Sequence, residues 1–372
     1  MQIHVIAFDI PYPADYGGVI DVYYKIQALK ETGFQVILHC FQYGSRQRSD
    51  QLETCCQSVY YYNRSRSIIG QFSSLPFIVK SRSSRQLLDN LCKDRFPILF
   101  EGIHTTFWIN HERLKGRKKL LRMHNIEWKY YAGLALREKN LFRKIYFRLE
   151  SLRLKRYEHW LQQVPDIHIF AISENECCYF SESGFKMVTL LSPFHPFDRI
   201  LSQPGRGNFV LFHGNLGIAD NRDAALFLMD KVFDNLPFHL IIAGKNPDKT
   251  LLTNAAKTNG RVEIIADPDE SKMRHLLAEA QVHVLWSFQS EGVKLKLFYA
   301  LSEGRFVIAN RAVVEGSGLK ALVEVADSVE KAKELLKKVF EQNFSNSEIV
   351  KREEVLNRQR SRQMLVLKEK FS

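Results

Sequence analysis

Short apolar runs alternate with amphipathic stretches along the chain, and the alternation happens twice. In the first half, residues 2–8, 35–41, 59–62, 98–100, 119–123, 167–171 and 186–191 are short, bounded and rich in β-branched or aromatic side chains. That pattern predicts strands buried on both faces of a parallel sheet. Helical spacing fills residues 19–31, closed by Gly33, residues 84–92, and a long stretch from Lys129 to Leu161. Residues 192–207 are rich in Pro and Gly and lack any period, so they read as a linker. The same grammar then restarts, with strands predicted at 208–212, 239–243, 261–265, 282–286 and 306–309 and helices at 221–233, 271–280 and from 293 to Gly304. Two polar helices, 327–340 and 347–370, end the chain. The expected architecture is α/β, with two Rossmann-like, doubly wound domains at 1–191 and 208–372, the last helix being long enough to return to the first domain.

Composition narrows the classes. The chain has 372 residues, 45% hydrophobic and 12% aromatic, enough for two packed cores and too much for a disordered chain. No apolar run approaches the roughly 20 residues that span a bilayer. MQIHVIAFDI has no basic region and no small-residue cleavage site, so it reads as a first strand and not a signal peptide. Six cysteines include no C-x-x-C, which argues against a zinc site and for a reducing, cytoplasmic setting. A formal charge of +12 implies anionic partners such as phosphates or an anionic lipid surface. Duplex nucleic acid would also fit the charge, but no recognised nucleic-acid motif is present, and no nucleic-acid partner is expected.

Candidate chemistry collects where predicted strands end, because ligands of doubly wound sheets bind at the carboxyl ends of the strands. The stretch Ser290–Gly318 holds Glu291-Gly292 after an apolar strand, then a helix with Lys294 and Lys296 in its first turn. Cations there oppose the helix dipole, and a phosphate between them would remove the conflict. The plain alternative is a pair of solvated surface lysines. Gly17-Gly18 before the first helix would allow close approach of a ligand to the backbone, although such a pair is often no more than a turn. Gly214-Asn215 and Lys245-Asn246 end successive strands of the second half, and Lys245 suits a diphosphate as a point charge. In the first half a strand ends in His124-Asn125-Ile126-Glu127, with His104 as a competing histidine. An imidazole titrates near neutral pH and so is the side chain best placed to move a proton.

The helix within 129–161 carries Leu141, Ile145, Leu149 and Leu152 on one face. Arg143, Lys144, Arg148, Arg153, Lys155 and Arg156 crowd the remainder. It reads as either a solvated helix over a buried stripe or a basic amphipathic helix resting on anionic membrane. Further basic groups at Arg113, Lys115, Arg117, Lys118 and Lys119 favour the second reading.

Glu291-Gly292, the helix after it, Gly304 near its end and the Phe306-Val307-Ile308-Ala309 strand resemble the donor-site element of family-4 glycosyltransferases of the GT-B fold. The resemblance extends over most of the chain, and is strongest at 1–33, 119–131 and 208–310. It implies two Rossmann-like domains facing a cleft and a nucleotide-sugar donor bound by the second domain. It further implies retention at the anomeric carbon, a saccharide or lipid-linked saccharide acceptor, and a place in bacterial cell-surface polysaccharide synthesis. Glu291 would grip the sugar, and His124 would contact it near the reacting centre. Gly17, Gly18, Gly214, Asn215, Lys245, Asn246, Gly292, Lys294 and Lys296 would contribute to the donor site. The family's second glutamate, eight residues after the first, is Tyr299 here, which leaves the ribose contact open. No cofactor and no metal are expected, since no Asp-x-Asp of the metal-binding kind is read at a strand end and lysines can stabilise the leaving charge. The expected location is cytoplasmic, peripheral on the inner face of the plasma membrane. The alternatives are a sugar-nucleotide epimerase, which needs no acceptor, and a non-catalytic binding protein, for which Tyr299 is the foothold.

Overall fold

The computed structural model describes residues 1–42, 44, 46–65, 73–197, 199–289 and 294–371. The chain divides into two compact units, the first comprising Met1–Pro196 with Arg360–Ser372 and the second Phe197–Gln359.

The first unit is built on a seven-stranded sheet. Its strands are β1 (Gln2–Ala7), β2 (Gln35–Gln42), β3 (Ser58–Asn63), β4 (Ile98–Glu101), β5 (Lys119–Met123), β6 (Ile167–Ala171) and β7 (Val188–Leu190). Their spatial order is β3-β2-β1-β4-β5-β6-β7, with every pair parallel. The chain winds outward from β1 to β3, then starts again at β4 on the other side, which makes the β1/β4 boundary the switch point. Val5, Leu38, Leu99, Leu120 and Phe170 are buried on one face, and Ile6, Phe100, Leu121 and Ile169 on the other. Helix α1 (Gly17–Glu31) covers the first of these faces and ends at Gly33, whose φ of 89° supplies the left-handed turn expected there.

The long helix predicted from 129 is two helices, α2 (Glu127–Arg137) and α3 (Leu141–Leu161). The break comes at Glu138, where the backbone is extended, and Asn140 recaps the chain by accepting a hydrogen bond from the Arg143 amide. Of the two readings of this stretch, the solvated helix over a buried stripe does not hold. Leu141, Ile145, Leu149 and Leu152 are 65, 46, 48 and 56% exposed, and Phe142 reaches 83%. The buried side of α3 is instead Glu150, Ser151, Leu154, Tyr157, Glu158 and Leu161. Of the supporting basic residues, Arg117 and Lys119 are buried, Arg117 donating to the carbonyls of Leu91 and Phe96. These two do not add to a surface charge.

The second unit has β8 (Val210–His213), β9 (Leu240–Gly244), β10 (Val262–Ala266), β11 (Val282–Leu285), β12 (Phe306–Ala309) and β13 (Glu324–Val325). They lie in the order β10-β9-β8-β11-β12-β13, again all parallel, with the switch point between β8 and β11. Helix α4 (Ala219–Phe227) follows β8, and α5 (Leu295–Glu303) lies between β11 and β12. A helix at Lys249–Ala256, not anticipated from the sequence, starts where Asp248 accepts the Leu251 amide. Gly304 ends α5 without a left-handed turn, its φ being −96°. Glycine is needed there because a Cβ would run into the His283 ring. The last helix, α6 (Asn346–Phe371), starts in the second unit and from Arg360 belongs to the first, where Leu367 and Phe371 join the core.

Candidate functional site

In the second unit, the loops after β8 and β9 are locked together at the switch-point side of the sheet. The Leu216 amide donates to the Lys245 carbonyl at 2.8 Å, and a Cβ on Gly244 would collide with the Gly214 carbonyl. Gly214 itself has φ 155°, and a side chain there would press on Asn221. Asn215 spends its side-chain oxygen on the Gly217 amide at 3.0 Å, and Asn246 takes φ 56° while its amide donates to Asp267. Gly214, Asn215, Lys245 and Asn246 therefore form one surface, with Lys245 and Asn246 exposed.

Lys294 and Lys296 differ. Lys294 is the residue at which α5 begins, and no side chain caps that helix end. Lys296 turns inward. Its ammonium donates to the Trp286 carbonyl at 2.9 Å and to Asn221 at 3.2 Å, and lies 5.0 Å over the Phe212 ring. Burial pushes its pKa down to about 8, against the pull of Asp220 and with the help of Lys294. Tyr299, one turn on, sets its ring edge-on to Phe197 at 4.7 Å and packs on the apolar clusters flanking α5. Glu291 and Gly292 lie outside the described residues. The loop leading to them is held by groups the sequence did not single out. The Ser287 hydroxyl and Phe288 amide both donate to Asp220, at 2.6 and 2.9 Å, and Asn310 exchanges two hydrogen bonds with the Ser287 backbone.

An Asp-x-Asp triplet does stand at a strand end, as Asp267-Pro268-Asp269 after β10. Asp267 accepts the Asn246 amide and Asp269 caps the next helix through the Lys272 amide. Both carboxylates thus accept backbone amides.

In the first unit, Gly17 and Gly18 open α1 directly, two residues earlier than the helix was expected. Gly18 leaves room for the Phe8 ring, whose tip would lie 2.6 Å from a Cβ. The switch point here carries a buried ionic cluster. Lys25 of α1 donates to Asp21 at 3.0 Å and to Glu101, the last residue of β4, at 2.7 Å. Arg122 of β5 pairs with Asp21 at 3.0 Å and reaches the carbonyls of Leu191 and Ser192. His124 stands among them, with Nε2 3.0 Å from Glu101 and Nδ1 3.7 Å from Asp21. Burial alone would raise both carboxyl groups. Arg122 and Lys25 at Asp21, and Lys25 with the His124 hydrogen bond at Glu101, outweigh it and hold both ionised. An ionised Glu101 can only accept, so His124 Nε2 carries the proton of that bond.

Asp21, Glu101 and His124 offer ligand atoms within 4.8 Å of one another, a spacing that would suit a metal. The Lys25 ammonium, bonded to both carboxylates, already supplies the positive charge such an ion would bring. The donor set fits an internal salt-bridge cluster better than a resident metal. His104, the competing histidine, is neutral, its pKa held far below the usual value by burial and then by Arg82.

Residues 207–340 match the sequence model of the family described as "Glycosyl transferases group 1". The chain is 28% identical over 359 residues, 90% of each chain, to an "Uncharacterized 44.6 kDa protein in cps region" of Klebsiella pneumoniae. Among solved structures it resembles sucrose-phosphate synthase of Thermosynechococcus elongatus with TM-score 0.66, at 15% identity over 98% of this chain and 94% of the other. It resembles Anabaena Alr3699/HepE in complex with UDP and glucose with TM-score 0.63, at 13% identity over 98 and 95%. The apo lipopolysaccharide outer core galactosyltransferase WaaB gives 0.63, at 13% identity over 99 and 100%. The class is therefore GT-B, with two Rossmann-like α/β units. Within that fold, residues 207–340 resemble the group 1 glycosyltransferases.

Proposed function

We propose that this protein transfers a sugar from a nucleotide-sugar donor to a saccharide acceptor in the assembly of bacterial surface polysaccharide. The observation that carries the reading is the group 1 match over residues 207–340, which spans the Gly214 loop after β8, the neighbouring Lys245 loop after β9, and Lys296 in α5. The second unit holds the donor, with Lys245, Lys294 and the uncapped start of α5 facing its diphosphate. HepE, solved with UDP-glucose, makes a UDP-sugar the first donor to test. The cps-region relative and WaaB favour a polysaccharide or lipopolysaccharide product.

In the reaction, the bond from the anomeric carbon to the diphosphate breaks and a bond to an acceptor hydroxyl forms. The hydroxyl proton leaves with the departing diphosphate. Positive charge at that diphosphate stabilises the developing negative charge, a role the lysines and the helix end supply without a metal. Glu291 grips sugar hydroxyls, His124 belongs to the acceptor-side unit, and the anomeric configuration is retained. The acceptor is lipid-linked, and the outward apolar face of α3, flanked by exposed Arg143, Arg148, Lys155 and Arg156, rests on anionic membrane.

The test is release of nucleoside diphosphate from a panel of nucleotide sugars, with and without lipid-linked saccharide acceptors. Acceptor-dependent release that falls at least tenfold in Glu291→Gln and in His124→Ala is expected. Donor turnover to an epimer without acceptor, or rates in both variants within a few-fold of the unmodified chain, would contradict the assignment.

A further inference from the structure

The first unit contains a cavity of about 370 Å³ beside the ionic cluster, lined in part by Asp9, Tyr16, Arg64, Arg82, His104 and Tyr146. That volume sits at the small end of ligand pockets, which start at roughly 300 Å³. Two guanidinium groups line it, against one carboxylate. Asp9 is already engaged, by the Tyr16 hydroxyl at 2.8 Å and by Arg46 at 3.5 Å. Arg82 is 4% exposed and, among the described residues, makes no ion pair. Its donors go to the carbonyls of Phe8 and Ile78, which fix the guanidinium without a salt bridge, while Asp9 offsets part of its charge through space. Arg64 is oriented by Ser81 at 2.8 Å and lies over the Phe77 ring. His104 adds a buried Nδ1 with no hydrogen-bond partner.

A buried cation is costly unless something pairs with it, and a guanidinium fork matches phosphate oxygens. From this cavity, its two arginines and the unsatisfied imidazole nitrogen, we infer a subsite for a phosphate or diphosphate group carried by the acceptor. Tyr146 ties the subsite to α3, since the same helix exposes Phe142, Ile145 and Leu149. A phosphate next to a membrane-resting helix is where the headgroup of a lipid-linked saccharide would lie. The acceptor assignment rests on the proposed transferase reading, whereas the phosphate chemistry does not.

The experiment is isothermal titration of the full chain carrying Lys245→Ala and Lys294→Ala, which weakens the donor diphosphate site, with inorganic pyrophosphate and with geranyl diphosphate. Binding is expected to persist in this background, to be tighter for geranyl diphosphate, and to weaken at least tenfold on adding Arg64→Gln. Tyr146→Trp, which fills the cavity without changing charge, should weaken it similarly, with the melting temperature unchanged in both. Binding indifferent to Arg64→Gln and Tyr146→Trp would overturn the subsite. If Arg64→Gln reduces sedimentation with phosphatidylglycerol vesicles but leaves geranyl diphosphate binding intact, the cavity reads bilayer headgroups and the acceptor assignment falls. Arg64-dependent diphosphate binding in a chain that transfers no sugar would leave the subsite standing and remove the transferase reading.

Discussion

Two residues show how burial sets chemistry here. Glu101 has no exposed surface, yet it stays ionised because Lys25 lies at 2.7 Å and His124 donates to it at 3.0 Å. Glu101→Gln leaves Lys25 with one carboxylate and frees the His124 ring, so we expect a loss of about 3 kcal/mol in unfolding free energy. A fall in kcat with little change in donor KM is expected with it, measured by denaturant titration and steady-state kinetics. Lys296 makes the pH prediction. Its folded pKa is depressed to about 8 from 10.5, so the ammonium is present below pH 8 and lost above it. Nucleoside diphosphate affinity should fall as pH rises through about 8, and Lys296→Met should flatten that dependence. Between pH 8 and 10.5 the unfolded chain binds more protons than the folded one, so the stability of the ligand-free protein should rise with pH in the same window. Opposite slopes for binding and stability separate this group from a general alkaline denaturation.

Helix α3 carries the prediction at the scale of elements. None of residues 141–149 is buried, so apolar side chains there contribute little to folding. Replacing Phe142, Ile145 and Leu149 by serine should leave the melting temperature within about 2 °C while lowering co-sedimentation with anionic vesicles at least tenfold at low salt. Retained binding would assign the attachment to another surface. This helix also marks a limit of sequence reading. The four-four-three spacing of its leucines and isoleucine was legible, but spacing alone does not say which side faces the core. Strand positions were legible because buried parallel strands are short apolar runs, and β5, β6 and β12 fall on the expected residues. The ionic cluster was not. Asp21 and Lys25 are four apart on a helix, a spacing shared with ordinary surface pairs, and only the return of β4 and β5 reveals their partners Glu101 and Arg122.

Over the whole molecule, two parallel sheets each present a switch point, with the cluster of Asp21, Lys25, Glu101 and Arg122 at the first and the contact of Asp220 with Ser287 at the second. Helix α6 begins in the second unit, where Arg352 donates to the carbonyls of Leu301 and Gly304, and ends in the core of the first through Leu367 and Phe371. Deleting residues 360–372 should therefore destabilise the first unit by several kcal/mol, roughly 2–5 for each buried large side chain removed, while the second keeps its nucleotide affinity. Limited proteolysis with and without nucleotide would read the difference. The central claim, a metal-independent nucleotide-sugar site in the second unit, is tested most directly by thermal stabilisation against nucleoside diphosphates and nucleotide sugars, with and without EDTA. The account predicts a base-selective shift that survives chelation and disappears in Lys245→Ala with Lys294→Ala. No shift with any nucleotide, or a shift abolished by EDTA, would contradict it.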